Sequence, residues 1–195
     1  SATATYGNPQ VTPTNQASYN SGSSPDEIGV KFSLESSWTT NFNILGIQGI
    51  LGITNSAATG VLKLYDSGGS LLQSKSFTAT ELSAGNTAVL NRTLMFDTTT
   101  LVNLTPGSTY RIAIEATAAS LGFTTMLYVT FPNNTVARAF VGNGTYVKTE
   151  RTNAGAWTDT DTLVPAWKLI ISAATATGGA AGMIVHPGMA GGMRG

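Results

Sequence analysis

The chain has 195 residues, 42% of them hydrophobic and only 10% charged, with ten basic against ten acidic side chains and no cysteine. That length fits one domain able to bury a core without covalent staples, and the missing thiols exclude disulfides, thiol catalysis and cysteine-held zinc or iron. Sparse, balanced charge leaves no electrostatic footprint for a nucleic acid duplex or an anionic membrane, so neither is expected as a partner.

Residues 1–26 are polar, with SYNSGSSPDE at 18 to 27 rich in loop formers, and are expected to run as an N-terminal arm over the surface. From residue 27 the pattern changes. Ile28, Val30, Phe32 and Leu34 share one phase while Lys31, Ser33 and Glu35 share the other, the period of a half-buried strand. The run FNILGIQGILGI at 42 to 53 is apolar in both phases, which predicts a buried central strand kinked or bulged at its glycines; it is too short for a membrane span and carries Asn43 and Gln48. GVLKLYDSGGSLLQSKSFTA predicts a hairpin turning at residues 67 to 70, and TATELSAG at 78 to 85 has room for a single helical turn. Leu90, Leu94 and Phe96 then share a face, and YRIAIEA, FTTMLYVTF, GTYVKTERT and AWKLIIS each alternate. About nine strands and no long helix predict an all-β fold, an antiparallel β-sandwich over residues 27–177. Residues 178–195, GGAAGMIVHPGMAGGMRG, form a compositionally separate C-terminal arm.

The segment LTPGSTYRIAIEA at 104 to 116 is the most specific local pattern. Leu104, Pro106, Gly107 and Tyr110 resemble the corner of fibronectin type III domains, in which the tyrosine hydroxyl caps the turn between sheets; a plain Pro-Gly turn entering a strand would use the same residues. With Gly29, Val30 and Phe32 in an early strand and the hairpin LYDSGGSLL at 64 to 72, residues 28 to 116 are together similar to bacterial and phage jelly-roll modules. That resemblance implies a jelly-roll-like sandwich and a role without catalysis: virion structural protein, sugar-binding module or adhesive surface domain. Fold does not choose among these.

Chemical motifs are sparse. DSGG at 66 to 69 is shared with trypsin-like proteases, but the one histidine, His186, follows Ser67 and lies in the glycine-rich tail, so the hairpin turn is the better reading. No nucleophile elbow, phosphate-binding loop or zinc-protease motif occurs, and no cofactor is implied. Two of the ten acidic residues would suffice for glycosidase chemistry, which stays open as a third and least favoured reading. Asp159 and Asp161, two apart in an extended segment, are candidates for a shared hard cation such as calcium, against the alternative of a solvated loop. Trp38 and Trp157 sit among polar neighbours and are candidates for stacking on a sugar, against partial burial at a sandwich edge, whereas Trp167 alternates with Leu169 and Ile171 as core.

Ordering so glycine-rich a tail costs roughly 1 to 2 kcal/mol per residue, which a docking surface has to offset. Met183, Ile184, Val185, Met189 and Met193 supply apolar groups suited to an irregular groove, with His186 and Pro187 between them, so this arm is the expected partner-binding segment; folding back on its own sandwich is the alternative. The expected partners are other virion proteins or further copies of the chain, with a surface glycan in the second reading. A start at Ser1 fits loss of an initiator methionine as well as signal cleavage, and the former is expected for a virion protein made in a host cytoplasm, the latter for a cell-surface module.

Overall fold

The computed structural model describes residues 3–7, 15–20, 26–53, 57, 59–83, 90–117, 122–130, 144–165 and 167–173. In chain order these form β1 (Thr3–Gly7), β2 (Asn15–Asn20), β3 (Glu27–Ser33), β4 (Phe42–Ile53), β5 (Thr59–Tyr65), β6 (Leu71–Thr78), a short helix α1 (Ala79–Ser83) and β7 (Leu90–Met95). A 3-10 turn at Thr98–Thr100 leads to β8 (Tyr110–Ala116), β9 (Gly122–Thr130), β10 (Thr145–Arg151), β11 (Thr158–Thr160), β12 (Leu163–Pro165) and β13 (Trp167–Ala173). The expected hairpin is present as β5 and β6, and the single helical turn as α1.

The strands make two antiparallel sheets. One runs β11-β10-β3-β8-β5-β6; the other runs β1-β13-β4-β9-β12, with β7 also paired to β4 and β2 to β9. Ile28, Val30 and Phe32 of β3, Leu62 and Leu64 of β5, and Ile112 and Ile114 of β8 are fully buried on the inner face of the first sheet. They belong to one core with Ile44 and Ile47 of β4, Leu94 of β7, and Trp167, Leu169 and Ile171 of β13 from the second. This is a β-sandwich, built because β3, β5, β8 and β13 carry their core residues in a single phase, while the bulged β4 contributes from both.

Within residues 1–26 the described segments are strands of the second sheet, β1 paired with β13 and β2 with β9. Among the described residues there are thirteen strands, of which β11 and β12 are only three residues long. Residues 178–195 lie outside the described residues, as do 174–177, so the expected boundary at 177 is not located; the last described strand ends at Ala173.

The apolar run of β4 is central and bulged. Between Ile44, opposite Ile171, and Gly46, opposite Ile170, Leu45 is the extra residue, and its carbonyl accepts from Phe96 N at 2.8 Å. A Cβ at Gly46 would lie 2.1 Å from the Leu94 carbonyl oxygen, so only glycine lets β7 approach there.

The corner residues lock β8 to its neighbours. The Tyr110 hydroxyl accepts from Thr105 N at 2.9 Å, Leu104 exchanges backbone hydrogen bonds with Phe42, and Gly107 N donates to Leu34 O at 3.1 Å. The Tyr110 ring meets Phe42 edge-on at 6.3 Å. Tyr110→Phe keeps that ring packing and removes only the hydroxyl, leaving Thr105 N without its acceptor. It should lower unfolding free energy by about 1 to 2 kcal/mol in urea titration, at unchanged m-value. An unaltered midpoint would mean that the hydroxyl does not hold the corner.

Candidate functional site

Among the described residues, a group of charged side chains gathers on the outer face of the six-stranded sheet, in the strand phase opposite to the core. The register sets Arg151, Glu27 and Glu115 in one row across β10, β3 and β8, and Val147, Lys31, Arg111 and Tyr65 in another that continues into β5. Between them lies a row of Thr149, Gly29, Ala113 and Lys63. Gly29 and Ala113 leave a trough in the middle of this row. A Cβ at Gly29 would sit 1.9 Å from the Ile112 carbonyl oxygen, which makes glycine obligatory in the trough.

Glu27 is the hub at one end. Its side chain is only 2% exposed, and its carboxylate accepts from Arg151 Nη2 at 2.8 Å and from the Tyr65 hydroxyl at 2.8 Å, with Lys63 Nζ 3.6 Å away. Arg151 Nη2 also donates to the Tyr65 oxygen at 2.7 Å, closing a triangle, and Lys63 pairs with Glu115. Burial first and the Glu27 carboxylate second push the Tyr65 phenol far above its ordinary range, so it stays a protonated donor. Burial alone would lower the Arg151 pKa, but the contacts with Glu27 and Tyr65 outweigh it and hold the guanidinium charged.

Asp159 is the second hub. It lies opposite Thr149 on β11 and accepts from Lys31 Nζ at 2.8 Å, Arg111 Nη2 at 3.0 Å and Thr149 Oγ1 at 2.7 Å. Burial favours its neutral form, yet these three donors prevail and lower its pKa. Asp161 is exposed in the following turn. Asp159, one of the two candidates for a shared cation, is thus bound by two cationic side chains, Lys31 and Arg111. Among the described residues no three histidine, aspartate or glutamate side chains converge.

Trp157 is placed between these hubs by the turn that follows β10. Asn153 and Ala154 both adopt positive φ, Gly155 N donates to Thr152 O at 2.9 Å, and Asn153 N is held by the buried Asp26 carboxylate at 3.0 Å. The chain thus folds back over the sheet. The Arg151 guanidinium carbon lies 4.4 Å from the Trp157 ring centroid, that of Arg111 5.5 Å, and the Tyr65 ring stands edge-on at 5.3 Å. Half-buried and engaged by these cations, Trp157 lies against the charged face. On the β5–β6 turn, Ser67 is exposed while Asp66 accepts from Ser70 N at 2.8 Å, so the DSGG sequence is a hairpin turn.

Trp38 differs. It is 45% exposed and stands beside an apolar cavity of about 130 Å³ that Phe42, Ile171 and Ala173 help to line, with Thr40 and Ser172 at its wall. Leu104, Pro106, Gly107 and Tyr110 belong to the structural corner. Met183, Ile184, Val185, His186, Pro187, Met189 and Met193 lie outside the described residues. Sequence reading missed Glu27, Tyr65, Arg111 and Arg151; their one signal was a charged or phenolic residue in the outward phase of four separate strands.

The cluster ties strands together, and the carboxylates of both hubs are bound by cations. The lowered Asp159 pKa gives the sign of its pH dependence: its stabilisation is complete above the ordinary carboxylate pKa near 4 and is lost as pH falls through the folded value. The melting temperature of the wild type should therefore drop more steeply below about pH 4 than that of Asp159→Asn, which should be less stable at pH 7. Parallel curves would show that the carboxylate contributes nothing. Compared with known proteins, the chain matches no family model and no curated protein, so its geometry and composition carry the functional reading.

Proposed function

We propose that this chain is a non-enzymatic structural protein of a bacteriophage particle, a capsid decoration or minor capsid, neck or tail component that grips neighbouring subunits through its terminal segments. The observation that carries this reading is the position of the two terminal strands. β1 forms the edge of the seven-stranded sheet and lies against β13, with Thr3 opposite Ser172, so the first and last described strands end side by side. An edge strand contributed by a terminus is the kind of element that subunits exchange or add to one another's sheets.

The clamped outer face fits the same role. A structural subunit has to resist shear between its strands, and side chains from β3, β5, β8, β10 and β11 are tied together there by hydrogen bonds and ion pairs. The resemblance to virion jelly rolls and the cysteine-free composition point the same way. A second reading, a carbohydrate-binding or adhesive surface module, is favoured by the exposed Trp38 ring beside its cavity.

Removal of residues 178–195 is the direct test. The shortened protein should keep the melting transition of the full chain while its self-association, or its attachment to particles, is lost in sedimentation. Normal assembly of the shortened protein would end the arm reading.

A further inference from the structure

Between β10 and β12 the chain makes an excursion that the core does not hold. None of residues 152 to 160 is buried, and 153 to 156 are exposed. Both flanks are anchored: β10 pairs with β3 along its whole length and buries Tyr146, while β12 pairs with β9 and buries Val164. We propose that residues 152 to 160 are a releasable strap, latched by the Asp159 carboxylate, that lifts off the outer face of the six-stranded sheet when this carboxylate is neutralised while both sheets stay paired.

The fastenings of this segment are few and mostly polar. β11 meets β10 at three register positions only, Lys148 with Thr160, Thr149 with Asp159 and Glu150 with Thr158. Asp159 Oδ2 accepts from Lys31 of β3 and Arg111 of β8, and Oδ1 accepts from Thr149 of β10. Asn153 N donates to Asp26, and the Trp157 ring leans on Arg111, Arg151 and Tyr65. The Trp157 indole N–H is buried with no hydrogen-bond partner among the described residues, so seating this ring carries a cost that the latch offsets. Segments with little apolar burial open ahead of the sheets they lie on.

One carboxylate here answers two cations. Elsewhere on the face two acids meet two bases, Glu27 and Glu115 with Arg151 and Lys63. Neutralising Asp159 therefore leaves Lys31 and Arg111 facing each other, and lysine and arginine keep their charge in acid. The other ionisable groups against the strap are Tyr65, Arg151, Asp26 at its turn, and the Lys148–Glu150 pair of β10. Asp26 is a second carboxylate fastening, so acid acts on both in the same direction. The donors around Asp159 hold its pKa below the ordinary value near 4. The latch is thus complete above that value and is lost as pH falls through the folded pKa. Release makes β10 the edge of its sheet and opens Thr149, wholly buried beside Asp159, to solvent. A bare edge accepts a further strand, so the latch governs whether this side of the sandwich can be extended.

Hydrogen exchange of the full chain, read by mass spectrometry and corrected for the intrinsic rate at each pH, tests the strap. In Asp159→Asn at pH 7, peptides covering 152 to 160 should lose protection on the order of tenfold and approach the intrinsic rate, while those of β3 and β8 stay strongly protected. In the wild type the same separation should develop as pH falls below about 4. Strap peptides that keep their protection in Asp159→Asn overturn the proposal. So does a strap as well protected as β3 and β8 in the variant, or one that loses protection together with them in the acid titration of the wild type, because it then opens only with the whole sandwich.

Discussion

A carboxylate buried in the outer face of a sheet has to be answered by donors, and Glu27 sets that demand here. Its side chain is 2% exposed on β3, in the middle of the six-stranded sheet, and an unpaired charge there would cost several kcal/mol. The answer comes from strands on both sides. Arg151 reaches it from β10, and Tyr65 from β5, two strands away in the opposite direction. That second reach is possible because Gly29 and Ala113 place nothing larger than a methyl group between Tyr65 and Glu27. The tyrosine and the arginine thus answer one buried charge, across a trough that the glycine and the alanine leave open.

The same logic extends along the face. Arg111 and Lys31 need an anion, and β11 supplies Asp159 only if the chain turns sharply after β10 and pairs back upon it. Asp26 fastens that turn, and Trp157 then lies against Arg111 and Arg151, which connects the Asp159 hub to the Glu27 hub. Pairing among these charges ties β3, β5, β8, β10 and β11 together across the outer face.

Much of the fold was legible because burial imposes a phase. Ile28, Val30 and Phe32, or Trp167, Leu169 and Ile171, repeat with period two and are all core. β1 and β2 escaped notice because TATYG and NQASYN carry only an alanine and a tyrosine in one phase, too faint a mark beside the aliphatic strands. The clamped face was hidden for another reason. Residues such as Lys31 and Glu27 in the outward phase look like any solvated surface, and only the register brings Asp159 to Lys31 across 128 positions. The spacing of Asp159 and Asp161 suggested a cation site because sequence spacing cannot show that two cationic side chains arrive first. The tryptophans divided likewise: Trp38 kept its exposure, whereas the neighbours that engage Trp157 come from β5, β8 and β10.

The central claim is that Glu27 and Arg151 stabilise the sandwich jointly, as two halves of one buried pair. A double-mutant cycle with Glu27→Gln and Arg151→Met, read by urea denaturation at pH 7, measures this directly. Each single substitution strands a buried charge and should cost about 3 to 5 kcal/mol, while the double variant should cost clearly less than their sum, giving a coupling of about 2 kcal/mol or more. Losses that add to within about 0.5 kcal/mol would show that the two residues act independently and would contradict the account.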